Sequence, residues 1–191
     1  GNLTGIVVTS ADTAVVNQSD LSGNTSGKAI QNAGAAPVNA SSNWWGSNIV
    51  ANIQAASTGL VDFTPFLNVG TDNNEAATGF LGDFTTVNVT PLGSQVGTTG
   101  RVQEGVDAVD DGGTVNVAAG TYTENVDVNK AITLTGLATI NGSLTVSASG
   151  ATIDPGFSPG VIASGNLSLG AGTTTVIELG DGMGGPGVGH D

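Results

Sequence analysis

Residues 101–136 read RVQEGVDAVDDGGTVNVAAGTYTENVDVNKAITLTG, and several independent local signals agree there. Val102, Val106 and Val109 fall at i, i+4 and i+7, which makes one apolar stripe of a short amphipathic helix. Asp110-Asp111-Gly112-Gly113 then reverses the chain, because Asp bonds its own backbone and Gly accepts positive φ. Beyond that turn the chain has strand character. Thr114-Val115-Asn116-Val117 alternates, Ala118-Ala119-Gly120 turns, residues 122–128 alternate again, and Ile132-Thr133-Leu134 opens another short strand. Three short strands at close, even spacing, separated by Gly, Ala and Asn corners, form the pattern of one coil of a β-solenoid.

The flanks extend that pattern. Downstream, residues 138–146 predict two further short strands around an Asn141-Gly142 corner. Upstream, Gly97-Thr98-Thr99-Gly100 leads into the helix, with Thr99 the expected N-cap. Residues 71–100 otherwise read as a transition, a cap strand or a linker: a polar turn at Asp72-Asn73-Asn74-Glu75, apolar anchors at Phe80, Leu81 and Phe84, and a strand over 85–90 ended by Pro91. The expected organisation is closing solenoid coils over 1–70, this transition over 71–100, and a capping helix with further coils over 101–191.

Within residues 1–70, Gly5-Ile6-Val7-Val8, Ala14-Val15-Val16 and Ala29-Ile30 are short apolar runs, each followed by turn-rich polar residues. Asn recurs after a strand at Asn17 and Asn32, which suggests amide ladders between coils. Asn43-Trp44-Trp45-Gly46 and Val61-Asp62-Phe63-Thr64-Pro65-Phe66-Leu67 come next. Two adjacent Trp in a chain that is 4% aromatic bury a large apolar area at one spot, suited to plugging a solenoid end. Pro65 lacks a ladder donor and so fits a terminating strand. Stacking of Trp44 and Trp45 on sugar rings is the competing expectation, and packing is the commoner fate of aromatic side chains.

The 101–136 stretch also carries a resemblance. DDGGTVNVAAGTYTENVDVNKAITLTG with its preceding helix resembles the N-terminal cap and first coil of the right-handed parallel β-helix family, the pectin-lyase-like fold. In that family the helix covers the open end of the stack and G-T-Y-x-E-N-V is the first turn, matched here by residues 120–126. The pair NWWG and VDFTPFL is similar to the closing motifs of β-helix surface proteins, which marks Trp44, Trp45, Phe63, Pro65 and Phe66 as closing residues. Residues 151–191 resemble the repeats of autotransporter-type passenger domains, through Pro155-Gly156-Phe157-Ser158-Pro159-Gly160, Gly165-Asn166-Leu167-Ser168-Leu169-Gly170 and Val176-Ile177-Glu178-Leu179. The resemblance implies a fold, not a chemistry, since the family includes lyases, hydrolases and surface proteins without catalysis.

Composition narrows the chemistry. The 191 residues include 31 Gly, and only 10% are charged. Small residues at tight corners with β-branched residues stacking inward suit a solenoid. Three Lys plus Arg against sixteen Asp plus Glu give a formal charge of −13. Such a chain cannot neutralise a run of phosphates, so nucleic acid is excluded as a partner, and acidic polysaccharides need bridging calcium. There is no Cys and therefore no disulfide or thiolate site. No apolar run approaches the roughly 20 residues that span a bilayer. The opening Gly1-Asn2-Leu3-Thr4 enters in mid-pattern, which reads as an excised or processed segment of something longer.

Catalytic constellations find little support. A lyase needs an Arg or Lys base, but Arg101 sits on the expected capping helix, and Lys28 and Lys130 lie in turns. A hydrolase needs converging carboxylates, whereas Asp110-Asp111 and Asp154 occupy turns and Glu124 and Asp127 do not share a face. His190 is the only His. Calcium is the one metal left open, with Asp110 and Asp111 as its candidate ligands and Asp72 and Asp181 as further turn acids, although no EF-hand loop is present. N-x-[ST] triplets at Asn2, Asn17, Asn24, Asn39, Asn88, Asn141 and Asn166 arise by chance in such a composition.

The expectation is therefore an all-β, right-handed parallel β-helix with one short amphipathic capping helix near 101–109 and no catalysis. It would be a structural repeat of a bacterial extracellular or cell-surface fibre, sheath or adhesin, stacking end to end through self-association or tandem repeats. Trp44, Trp45, Phe63, Pro65, Phe66, Val102, Val106 and Val109 are its expected junction residues. The alternative is a β-helix that binds or degrades surface polysaccharide.

Overall fold

A computed structural model describes residues 4–24, 27–156 and 160–177. Among them the chain forms a β-solenoid of about 7 turns with two short helices. The strands β1 (Thr4–Val8), β2 (Lys28–Asn32) and β3 (Val38–Asn39) precede helix α1 (Val50–Ala56). Next come β4 (Ser57–Thr58), β5 (Val61–Asp62), β6 (Phe66–Leu67) and β7 (Thr86–Val89), and then helix α2 (Arg101–Ala108). After α2 the chain continues through β8 (Thr114–Tyr122), β9 (Val126–Val128), β10 (Thr133–Val146), β11 (Thr152–Asp154), β12 (Ile162–Leu169) and β13 (Thr174–Thr175).

The first stack is wound by parallel pairing at one constant offset, Thr4 with Lys28, Val15 with Asn39 and Asp20 with Trp44. β2 pairs β4 and β3 pairs β5, also in parallel. Its core joins Leu21, Ile30, Val38, Trp45, Ile53, Val61, Phe63 and Phe66. Phe63 stands edge-on to both Trp45 and Phe66, at ring separations of 6.4 and 6.5 Å.

The second stack shows why alternating residues make a solenoid. Val87, Val115, Leu134 and Ile153 lie in register down its inside and are buried. Thr86, Thr114, Thr133, Thr152 and Thr174 lie in register down its outside. Period-two alternation sends one set inward and the other to solvent, and every coil repeats the choice.

Between the stacks the strand direction reverses. β6 pairs β7 antiparallel, Phe66 opposite Asn88 and Leu67 opposite Val87, whereas every other pairing between named strands is parallel.

Several helices and strands depart from the sequence expectation in where they form or end. A second helix, α1, occupies residues 50–56. The Ala118-Ala119-Gly120 and Asn141-Gly142 corners do not interrupt β8 and β10, and pairing continues through register shifts near Gly136 and Ile140. These are bulges that bend a strand while the ladder persists on either side. Ala14-Val15-Val16 contributes a single bridge rather than a strand.

Candidate functional site

The residues with unusual environments gather where the two stacks meet. Helix α2 lies there, with Val102, Val106 and Val109 buried in the second core as the apolar stripe requires. Its N-cap is Gly100, and no side chain of that residue or of Thr99 caps it. The expected Thr99 cap is replaced by a distant one. The Glu124 carboxylate accepts hydrogen bonds from the backbone N–H groups of Val102 and Gln103, both at 3.0 Å. At the other end the Lys130 ammonium donates to the carbonyls of Asp107 and Val109, at 2.7 and 2.8 Å. Each charge opposes the partial charge of its helix terminus. Gln103 adds a reciprocal pair, donating to the Asp127 carbonyl and accepting from its N–H.

The opposite side of α2 faces the last coil of the first stack. Arg101 forms a buried ion pair with Asp62 at 3.3 Å and donates to the Gly93 carbonyl at 2.8 Å. The Val96 N–H donates to the other Asp62 oxygen at 2.7 Å. Burial pushes the Asp62 carboxyl above its ordinary range, against the opposing pull of Val96 and Arg101. Glu104 receives one bond on Oε1, from Gln95 at 2.9 Å, while its Oε2 is buried without a partner. Burial first, and the nearby Asp62 charge second, push Glu104 up to about 7. Tyr122, raised by burial, donates its hydroxyl to the Ala118 carbonyl.

The other expected junction residues separate into two groups. Trp45, Phe63 and Phe66 are buried in the first core, so their faces are closed to a ligand. Trp44 is half-buried against the second core and so crosses between stacks. Pro65 offers its carbonyl to the Ser42 N–H at 2.6 Å.

An amide ladder also crosses the junction, on residues other than Asn17 and Asn32. Asn48 and Asn88 both donate to the Asn68 Oδ1, and Asn116 donates to the Asn88 Oδ1. Asn32 instead bonds the carbonyls of Ala36 and Leu60. The ladder borders an axial groove of about 800 Å³, lined by Asn88, Asn116, Thr135, Leu137 and Asp154 among others. Among the described residues Asp154 is the one carboxylate of that lining, and it accepts from the Gly156 N–H.

A different surface closes the second stack. Leu167 and Leu169 pair directly with Leu144 and Val146 in parallel register, which puts them on the same inner face. Leu144 and Val146 are 1% and 0% exposed, whereas Leu167 and Leu169 are 53% and 48% exposed.

Asp110 and Asp111 are exposed in the turn after α2, and among the described residues no group of three His, Cys, Asp or Glu side chains is placed to hold a metal ion. No described helix is long and apolar enough to cross a membrane. Asn2, the 157–159 part of the Pro-Gly turn, the Glu178-Leu179 strand end, Asp181 and His190 lie outside the described residues.

No protein-family model matches the chain, and neither a curated protein nor a solved structure matches it.

Proposed function

We propose that the chain is a non-catalytic structural repeat that stacks end to end through its solenoid coils, within a fibre, sheath or adhesin on a bacterial cell surface. The observation that carries this is the coil at β12, which no further coil covers among the described residues and where core-face leucines lie exposed directly above a sealed core. An apolar coil face with a free strand edge favours another coil over water. The other end offers a matching partner. β1 is also an edge strand, and Ile6, Val8, Ala14 and Val16 are only partly buried above the first core. Two different ends that fit each other give a heterologous contact, which propagates into a filament rather than closing. The same surfaces serve tandem repeats within a longer chain.

Electron microscopy and sedimentation of the purified chain test this. Filaments or end-to-end oligomers are expected, and L167K/L169K should return them to monomers. A wild-type chain that stays monomeric at high concentration overturns self-stacking.

A second reading rests on the axial groove, whose stacked amides and Thr135 hydroxyl beside apolar Leu137 and Val176 suit a neutral glycan chain. Among the described residues the lining carries one carboxylate, whereas glycosidases work with two, which supports binding as the form of this reading. Retention on a glycan array, lost on substituting Asn116, supports this alternative.

A further inference from the structure

Asp62 pairs with the Arg101 guanidinium at the seam between the stacks, and Glu104 lies within reach of the charges of Asp62, Arg101 and Glu124. The bonding of the three carboxylates is unequal. Glu124 is met by two backbone N–H groups of α2. Asp62 is met by Arg101 and by the N–H groups of Val96 and Thr64. Glu104 has one side-chain amide on Oε1 and a buried, unpartnered Oε2. An ionised Glu104 leaves lone pairs unmet in a seam with surplus negative charge, which is costly. A protonated Glu104 removes that charge.

The charged groups facing Glu104 are Asp62 from β5, Glu124 from the segment between β8 and β9, and Arg101 from α2 itself, with Asp107 beside it on the same cavity. The segment leading into α2 contributes Gln95 and no titratable group. Asn39, Ser41, Ser42 and Pro65, all neutral, line the adjoining cavity of about 340 Å³ between α2 and the first stack.

We propose that Glu104 is a proton-operated latch that holds α2 against the first stack when protonated and lets water into the seam when ionised. The seam opens on the first-stack side because α2 is clamped to the second stack by Glu124, Gln103 and Lys130 and by its buried valines. The direction is set by linkage. Glu104 is raised from 4.5 to about 7 in the fold, so the folded seam keeps a proton that the unfolded chain has lost between those values. Its stabilising contribution is complete below 4.5 and is lost as pH rises through about 7.

Nuclear magnetic resonance of the full chain tests the latch, tracking the Glu104 carboxyl carbon and the Val96 amide, whose N–H is held by Asp62. Glu104 should titrate near neutrality. Protection of the Val96 amide, corrected for intrinsic exchange, should fall about tenfold between pH 6 and 8.5 while that of Val115 holds. The isosteric E104Q should keep Val96 protected across the range. A Glu104 titration in the ordinary carboxylate range overturns the proposal, as does an E104Q chain that loses Val96 protection just as the wild type does. Should E104Q fail to fold, the wild-type titration decides alone.

Discussion

Glu124 and Lys130, on one turn of the second stack, hold opposite ends of the same helix, the carboxylate on the N–H groups of Val102 and Gln103 and the ammonium on the carbonyls of Asp107 and Val109. A helix of only eight residues has little stability of its own, so its ends decide whether it stays folded against the core. Glu124→Ala should cost about 2 kcal/mol, the upper range for losing an N-terminal cap. Lys130→Ala should cost less than about 1 kcal/mol, since the partial charge at a helix end is the weaker term. Chemical denaturation of both variants checks the order.

Gly105 offers a sharper test, because ordinary helix rules predict the opposite result. In a helix interior Gly→Ala normally stabilises by about 1 kcal/mol. A Cβ at Gly105 would lie 2.5 Å from the Val89 Cγ2 and 2.9 Å from the Val115 Cγ1. Overpacking of that kind costs about 1–3 kcal/mol. Gly105→Ala should therefore lower the melting temperature, and any rise would show that α2 can lift from the sheet without penalty.

Leu144 and Leu167 are the same residue type on the same face of successive coils, one sealed and one open. Leu144→Ala should cost about 3 kcal/mol in the monomer. Leu167→Ala should change monomer stability by about 0.5 kcal/mol or less. A large Leu167 effect appearing only at high protein concentration would locate its energy in assembly.

Asn88 both donates to Asn68 and accepts from Asn116, so Asn88→Ala breaks two amide bonds at the junction. The expected loss is about 2 kcal/mol, at roughly 1 kcal/mol per hydrogen bond. Asn48→Ala, at the exposed end of the ladder with a single bond to Asn68, should cost about half of that. Urea unfolding of the two variants side by side measures the ratio.

Local pattern discloses what is local. The stripe of Val102, Val106 and Val109 and the alternation of residues 114–117 carry their period in adjacent residues, and both elements form where that period places them. α1 is illegible in the sequence because VANIQAA buries only Ile53 and its N-cap residue Ile49 makes no side-chain cap bond, so neither stripe nor cap announces it. The Thr99 expectation fails because the capping group comes from Glu124, a full coil away, and spacing along the chain does not encode that approach. A recurring interval between Asn residues does not find the amide ladder, whose real steps are 20, 20 and 28 residues, because coils of unequal length still stack. The Asp62–Arg101 pair joins residues 39 apart across a seam whose existence depends on the reversal of strand direction. Nothing in the hydrophobic period marks such a reversal, since alternation reads the same in both directions.

That reversal has a mechanical consequence. Strands in a solenoid lie across the long axis, so a force pulling along the axis loads each inter-coil ladder in peeling geometry and tests the ladders one by one. β7 meets β8 through four residue pairs and β8 meets β10 through seven, whereas β6 meets β7 through two. The ladders of β2 with β4, β3 with β5 and β11 with β13 are equally short, but among the named strands it is β6 with β7 that joins the two stacks, so under axial tension the stacks should part from each other between Leu67 and Val87, tethered by residues 68–85.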